Sequence, residues 1–447
     1  MTSQEAKQLV RALFLKTLPH LDVGAKMRAV VRLRDGALEI AGERIALHAG
    51  RPVRVIAMGK AALAMAHTLA EILDGVPLRG VVAAPSLSAA LPGVPPVLPL
   101  PGYEYFAGGH PYPNEQSWVA AEAALALLDV RHCHDYDLVL HLVSGGGSSL
   151  MEKPLHGSIT LADLRRFNEV LVTCGATIAE INMLRKRFSA IKGGRLAGVC
   201  TVPRQATLYV SDVPERSPAM IASGPTMPDE STLDEVQVFL DRSGLLDRLP
   251  ETYRKLWESG RAQETPKAGD ACFARSRYCC LLSNTQAIDA ALNAAEEAGV
   301  VVAVDTSCDD WPLERAADQL IARLAQMRAE NPGQPVAVIS GGELSCPVTG
   351  DGMGGRNQAF VLDCARKIAG QNMVVMSAGT DGIDGNSPAA GAVADGGTLD
   401  RAQALGLSAG DYQRRSDSFH FFDKLGDTIV TGPTGTNVRD LRLLLAY

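Results

Sequence analysis

Residues 54–73 read RVIAMGKAALAMAHTLAEIL. A short apolar run ends at Met58 and Gly59 and a helical pattern starts directly behind it, so the stretch is a strand, a tight turn and a helix. The run is apolar without alternation, which means burial on both faces and hence a parallel strand covered by helices. The same grammar repeats outward. GVVAAP (80–85), LVLHLVSG (138–145) and ATLYVSDV (206–213) are expected strands, with helices such as NEQSWVAAEAALALL (114–128) between them. A second alternating series begins with YCCLLSN at Tyr278 and continues with VVAVDTS from Val301, PVAVISGGE from Pro335, MVVMSAGTDG from Met373 and DTIVTG from Asp427. Between the two series, residues 249–271 are polar and broken by Pro266 and Gly269. The expected division is therefore two α/β domains, 1–250 and 270–447, with the boundary between residues 245 and 270.

Composition excludes several classes. The 447 residues are 46% hydrophobic, enough for sizeable cores. A net charge of -7 argues against a general nucleic-acid binder, whose footprint would be basic. Nine cysteines in no paired spacing suit neither a disulfide framework nor a zinc site, and point to a reducing, cytoplasmic setting. Residues 80–103 carry no charge, but Pro85, Pro92, Pro95, Pro96, Pro99 and Pro101 break any membrane-spanning helix, so an apolar loop is expected there.

The chemistry is expected in glycine-rich turns. AMGKAA, LVSGGGSSLM, ISGGELS, SAGTDGIDG and VTGPTGTN put small residues where an open α/β sheet presents the carboxyl ends of its strands. Such turns leave N–H groups pointing outward as anion nests. Lys60 follows Gly59 at a helix start, where the helix dipole disfavours a cation unless an anion is bound. In INMLRKRFSAIKGGRLA (181–197), Ile181, Leu184, Phe188 and Ile191 repeat as a core face, while Asn182, Arg185, Ser189 and Lys192 form a polar stripe ending at Gly193 and Gly194. That pattern predicts a glycine-capped helix with a basic face. Arg185 or Lys192 could reach a phosphate or carboxylate.

One stretch admits two chemistries. In SGGELSCPVTGDGMGGRNQAF (340–360), Gly350, Gly352 and Gly355 spell G-x-G-x-x-G between a strand-like and a helix-like segment, the pattern of a dinucleotide-binding turn. A nicotinamide site also wants an acid about 20 residues on, to hold ribose hydroxyls. Asp381 comes late, and with Asp384 in GTDGIDG it suits a hard cation such as magnesium better. Arg356, directly behind the glycines, adds a cation that backbone recognition alone does not need. Lysine, arginine and glycine nests with aspartates for a metal fit a polyphosphate.

LVSGGGSSLM, the 181–197 segment, SDVPERSPAMIASGPT, the 340–360 segment, SAGTDGIDGNSPAAGAVADG and VTGPTGTNVRDLRLLL resemble, in order, segments of two-domain glycerate 2-kinases with a C-terminal MOFRL domain. The resemblance runs from AMGKAA to the C-terminus. It departs at Glu215-Arg216-Ser217 and at Asn386-Ser387-Pro388. It implies a Rossmann-like three-layer N-terminal domain with a parallel sheet, a second α/β domain with a mixed sheet, and an active site in the cleft between them. It also implies ATP-dependent phosphorylation of D-glycerate at its 2-hydroxyl, with Lys60 and Arg356 acting at the site.

On this reading Lys60 and Arg356 stabilise charge on the phosphoryl group or on the glycerate carboxylate. Gly59, Ser144, Gly145, Gly146, Gly147, Ser148, Arg185, Lys192, Gly354, Gly355 and Asn357 are candidates for holding substrate or phosphate. Asp212 and Asp381 are candidate Mg2+ ligands, one of them alternatively the base. His110 orders its Pro-rich loop or contacts substrate. Substrate and nucleotide are the expected partners, without nucleic acid or membrane, and a homodimer is compatible. The alternative is an NAD(P)H-dependent hydroxypyruvate reductase. Replacing Arg356 is expected to leave folding intact, as for a cation at the mouth of a loop.

Overall fold

The computed structural model describes residues 1–85, 99–134, 137–201 and 203–447. They form two compact units, a central one, Val23–Leu281, and a terminal one that joins Met1–Asp22 to Leu282–Tyr447. The expected boundary at 245–270 lies inside the central unit. Residues 1–22 group with the terminal unit, and the strand in YCCLLSN closes the first sheet rather than opening the second.

The central unit begins with an antiparallel three-stranded sheet, β1 (Val31–Arg34), β2 (Ala37–Ile40) and β3 (Glu43–Ala46). Its main sheet uses β4 (Val53–Met58), β5 (Leu78–Ala84), β6 (Tyr103–Ala107), β7 (Leu138–Val143), β8 (Arg204–Val210) and β9 (Ser276–Leu282), in the order β6-β5-β4-β7-β8-β9. The pairs from β6 to β8 are all parallel. β4 and β7 are buried along their whole length, as their unbroken apolar runs require. One face packs Ile56, Met58, Val81, Val139 and Val143 against Ala120, Ala121 and Ala124 of the helix Glu115–Leu127. A separate helical core gathers Phe167, Phe188 and Tyr253, with Phe167 and Tyr253 stacked at 4.0 Å between ring centroids. The chain order reverses between β4 and β7, and such a switch point opens a crevice at the carboxyl ends of the two strands. Of the apolar loop expected over 80–103, residues 86–98 lie outside those described; the part up to Ala84 extends β5.

The terminal unit has the sheet order β10-β11-β15-β12-β13-β14, with β10 (Val301–Val304), β11 (Val336–Gly342), β12 (Met373–Gly379), β13 (Gly391–Asp395), β14 (Thr428–Ile429) and β15 (Asp440–Ala446). Only β10 and β11 pair in parallel; β15 runs antiparallel between β11 and β12, so the sheet is mixed. The N-terminal helix, Ser3–Thr17, lays Ala6, Val10, Leu13 and Phe14 on one face of this sheet. Lys7 forms a buried ion pair with Asp427. Apolar burial and this pair explain why the first residues belong here. No described helix is long and apolar enough to cross a membrane.

Candidate active site

At the switch point the ends of β4 and β7 are built into each other. Gly59 has φ +118°, and a Cβ there would lie 2.2 Å from Ser144 Oγ. No other residue fits that turn. The amide of Lys60 donates to the Gly145 carbonyl at 2.8 Å and that of Ala61 to Ser144 Oγ at 3.0 Å. Lys60 is thereby fixed by its backbone just before the helix Ala62–Ile72, with its side chain exposed. A Cβ on Gly145 would meet Asp212 Oδ2 at 2.0 Å, and one on Gly146 would meet His110 Cδ2 at 3.0 Å. The Asp212 carboxylate and the His110 imidazole therefore flank the bare turn. Burial, and then the charge of Lys60, hold the His110 pKa below its ordinary value. Among the described residues no acceptor meets the amides of Gly145 and Gly146.

Behind the turn, Ala222, Ser223 and Gly224 have φ of 49°, 61° and 62°. Left-handed backbone at alanine and serine is strained and persists only where its surroundings impose it. The imposing contacts are Gly193 N to Ser223 O, 3.0 Å, and Gly194 N to Gly224 O, 2.7 Å. Ser223 Oγ so placed shares a 2.6 Å hydrogen bond with Ser148 Oγ and donates to Asn182 Oδ1 at 3.1 Å.

The polar stripe of 181–197 is divided by the fold. The helix Ile178–Phe188 stops before Ser189, which turns extended and bridges to Pro154. Lys192 is thus off the helix and buried, its ammonium paired with Glu152, whose other oxygen accepts from Ser189 Oγ at 2.7 Å. The predicted glycine-capped helix is corrected on this point, because Ser189 satisfies the amides of Ile191 and Lys192 locally. Arg185 stays on the helix. Its Nε is sealed from solvent without an acceptor, and burial draws its pKa down to about 10.

In the terminal unit the antiparallel β15 brings Asp440 into register with Gly342 and Gly379, at the carboxyl ends of β11 and β12. Arg356 opens the helix Arg356–Lys367 and grips Asp440 with two donors, Nε at 2.6 Å and Nη2 at 3.1 Å. Glu343 lies 2.8 Å from the same guanidinium. Burial would lower the Arg356 pKa, but Asp440, Glu343 and Asp384 together outweigh it and raise it. Asp381 stands beside this group, since a Cβ on Gly379 would lie 3.2 Å from Asp381 Oδ1 and 3.6 Å from Asp440 Oδ1.

The G-x-G-x-x-G stretch does not form a strand-to-helix turn. β11 ends at Gly342, well before Gly350. Gly352 N donates to Arg415 O, Met353 N to Asp417 Oδ1 and Gly354 N to Asn386 Oδ1. The helix start is capped by Asp384, which accepts from the amides of Asn357, 3.1 Å, and Gln358, 2.9 Å. Burial raises the Asp384 pKa to about 6. The expected anion at this helix is thus largely the protein's own carboxylate, and Asn357 is buried beneath it. Sequence reasoning missed Asp440 and Glu343; the acid at Asp440 inside an apolar run was the available signal. Among the described residues no three acidic, His or Cys side chains gather as a metal cage.

Residues 9–258 match the family model described as Domain of unknown function (DUF4147), and residues 336–440 match the MOFRL family. The D-glycerate 2-kinase of Thermotoga maritima is 34% identical over 87% of this chain and 89% of its own. A protein of Agrobacterium vitis provisionally named a hydroxypyruvate reductase is 36% identical over 95% of both chains. In three dimensions the T. maritima glycerate kinase crystal structure superposes with a TM-score of 0.81 at 30% identity, covering 99% of this chain and 100% of that one. A Pyrococcus horikoshii structure gives 0.76 at 30% identity, covering 98% of each chain. Matched along both units, the chain belongs to the family of two-domain glycerate 2-kinases with a C-terminal MOFRL domain.

Proposed function

We propose that this chain transfers the γ-phosphoryl group of MgATP to the 2-hydroxyl of D-glycerate, giving 2-phosphoglycerate and ADP in the cytoplasm. The carrying observation is the Gly145–Gly146 turn, whose amides meet no acceptor among the described residues while Lys60 is pinned against it by its backbone. An anion is what such a turn accommodates. The glycerate oxygen attacks phosphorus, the bond from phosphorus to the bridging oxygen of ADP breaks, and the hydroxyl proton passes to a base. Asp212, held against Gly145, would take that proton or hold the magnesium the nucleotide brings, and Asp381 is the candidate carboxylate of the terminal unit. Lys60 stabilises the charge that spreads over the transferring group, the main work in such reactions, and Arg356 is the cation that the terminal unit offers for charge stabilisation. Ser144, Gly147 and Ser148 shape the turn that holds the phosphates.

The reductase reading draws on the name of the A. vitis relative. Against it stands the loop at 350–355, where Gly352, Met353 and Gly354 have already given their amides to Arg415, Asp417 and Asn386. A pyrophosphate would find few donors there. The purified protein, given D-glycerate with MgATP and separately hydroxypyruvate with NADH, should form 2-phosphoglycerate, seen by phosphorus NMR, and oxidise no NADH. NADH oxidation without phosphate transfer would replace this reading with the other.

A further inference from the structure

We infer that Arg185 is the counter-ion of the acceptor's carboxylate and so restricts the acceptor to hydroxy acids, an inference that rests on the kinase reading above. Six buried cations are matched with carboxylates, Lys7 with Asp427, Arg54 with Asp137, Lys186 with Asp229, Arg187 with Glu264, Lys192 with Glu152 and Arg439 with Asp309, and Arg442 donates to the carbonyls of Gly341 and Gly342. Arg185 has no hydrogen bond or ion pair with any described residue, and its Nε is shut off from solvent. Arg185 is half-buried, and withdrawing a charge from water without a partner is costly, so the missing partner is the informative feature.

The position of Arg185 leads to the same turn as the rest of the site. It lies one helical turn after Asn182, so the two side chains share a face. Asn182 Oδ1 accepts from Ser223, and Ser223 meets Ser148 of the phosphate turn. A polar path of three side chains thus joins the face of Arg185 to the turn beside Lys60. The two cations differ in kind. Lys60 is an exposed point charge, suited to a mobile, magnesium-bearing polyphosphate; Arg185 is a recessed planar fork, which matches a carboxylate with two parallel donors. Arg356 is not available for that task, because Asp440 already occupies its fork.

Steady-state rates for the wild type, Arg185→Met and Arg185→Lys, with each substrate varied in turn, test this. Arg185→Met should raise KM for D-glycerate on the order of 100-fold, the scale of a lost charged hydrogen-bond pair, and leave KM for ATP within about twofold. Arg185→Lys should fall between, and added guanidinium should restore part of the loss in Arg185→Met. The melting temperature of Arg185→Met should be unchanged or higher, since an uncompensated charge is removed. An equal rise in both KM values, or an unchanged KM for D-glycerate, would overturn the assignment. Calorimetric titration of D-glycerate alone separates the two readings. Binding to the wild type that is lost in Arg185→Met supports the carboxylate site even if phosphorylation is absent, whereas binding that survives refutes it.

Discussion

Two glycine-rich segments of this chain look alike in sequence and differ in what their amides do. At 144–148 the turn ends a strand, Gly145 and Gly146 give their amides to no described residue, and a cation is pinned alongside. At 350–355 the glycines serve close packing. A Cβ on Gly350 or Gly352 would lie 2.5 Å from Arg415 O, and the donors of 352–354 are consumed within the unit. The first segment is built to receive a charge; the second is built to hold Arg356 in place. Glycine spacing reports only that backbone must approach something closely. Whether that something is a ligand or the protein is decided by where the hydrogen bonds go.

The largest effect expected from this contrast is on stability. Asp440 has a side chain 2% exposed and depends on Arg356, which is 35% exposed. Arg356→Ala strands that carboxylate and should cost about 3 kcal/mol, the low end for a broken buried pair because the arginine is partly solvated. Urea unfolding measures it, and Arg356→Ala combined with Asp440→Asn should recover part of the loss. This reverses the expectation that replacing Arg356 leaves folding untouched. Full stability in Arg356→Ala would break the comparison from the scaffold side.

A smaller effect separates the turns by one and the same substitution. Gly352→Ala sets a methyl against Arg415 O and Asp417 Cβ, both at 2.5 Å, and backbone cannot step aside cheaply. It should lose about 1 to 3 kcal/mol, as overpacked sites do. Gly145→Ala meets the end of a side chain, Asp212, which can rotate away. It should therefore melt within about 1 kcal/mol of the wild type while losing most of its turnover, since Asp212 leaves its place. Thermal melts beside kcat for both variants would show the pattern, and equal behaviour of the two would remove the distinction.

Much of the fold was legible because it rests on periodicity. The apolar runs of β4, β7, β8, β11 and β12 announce buried strands, and the small-residue turns behind them announce the crevice. What escaped reading depends on long-range partners. β15 carries Asp440 and Arg442 inside an apolar run, and both are buried because Arg356 and the carbonyls of Gly341 and Gly342 receive them. The helix Ser3–Thr17 carries an apolar face, but nothing local says which sheet that face will cover. The stripe of 181–197 keeps its spacing past Phe188 although the helix ends there, because Ser189 finds a bonding pattern that periodicity cannot register. The place of Lys60 directly after a strand-ending glycine was readable. Arg185 was readable as a basic residue but not as an unpaired one.

The central claim is that the turn at 144–148, with Lys60, is where the transferred charge is held. Lys60 is exposed and contributes nothing to a core, so its removal isolates function from folding. The measurement is kcat/KM for D-glycerate phosphorylation in Lys60→Ala beside its melt. A fall of roughly 1,000-fold, the scale of one preorganised stabilising group, with stability within about 0.5 kcal/mol of the wild type, is the result predicted. Turnover near the wild-type value in a normally folded Lys60→Ala would contradict the account and leave the turn as a structural closure between two strands.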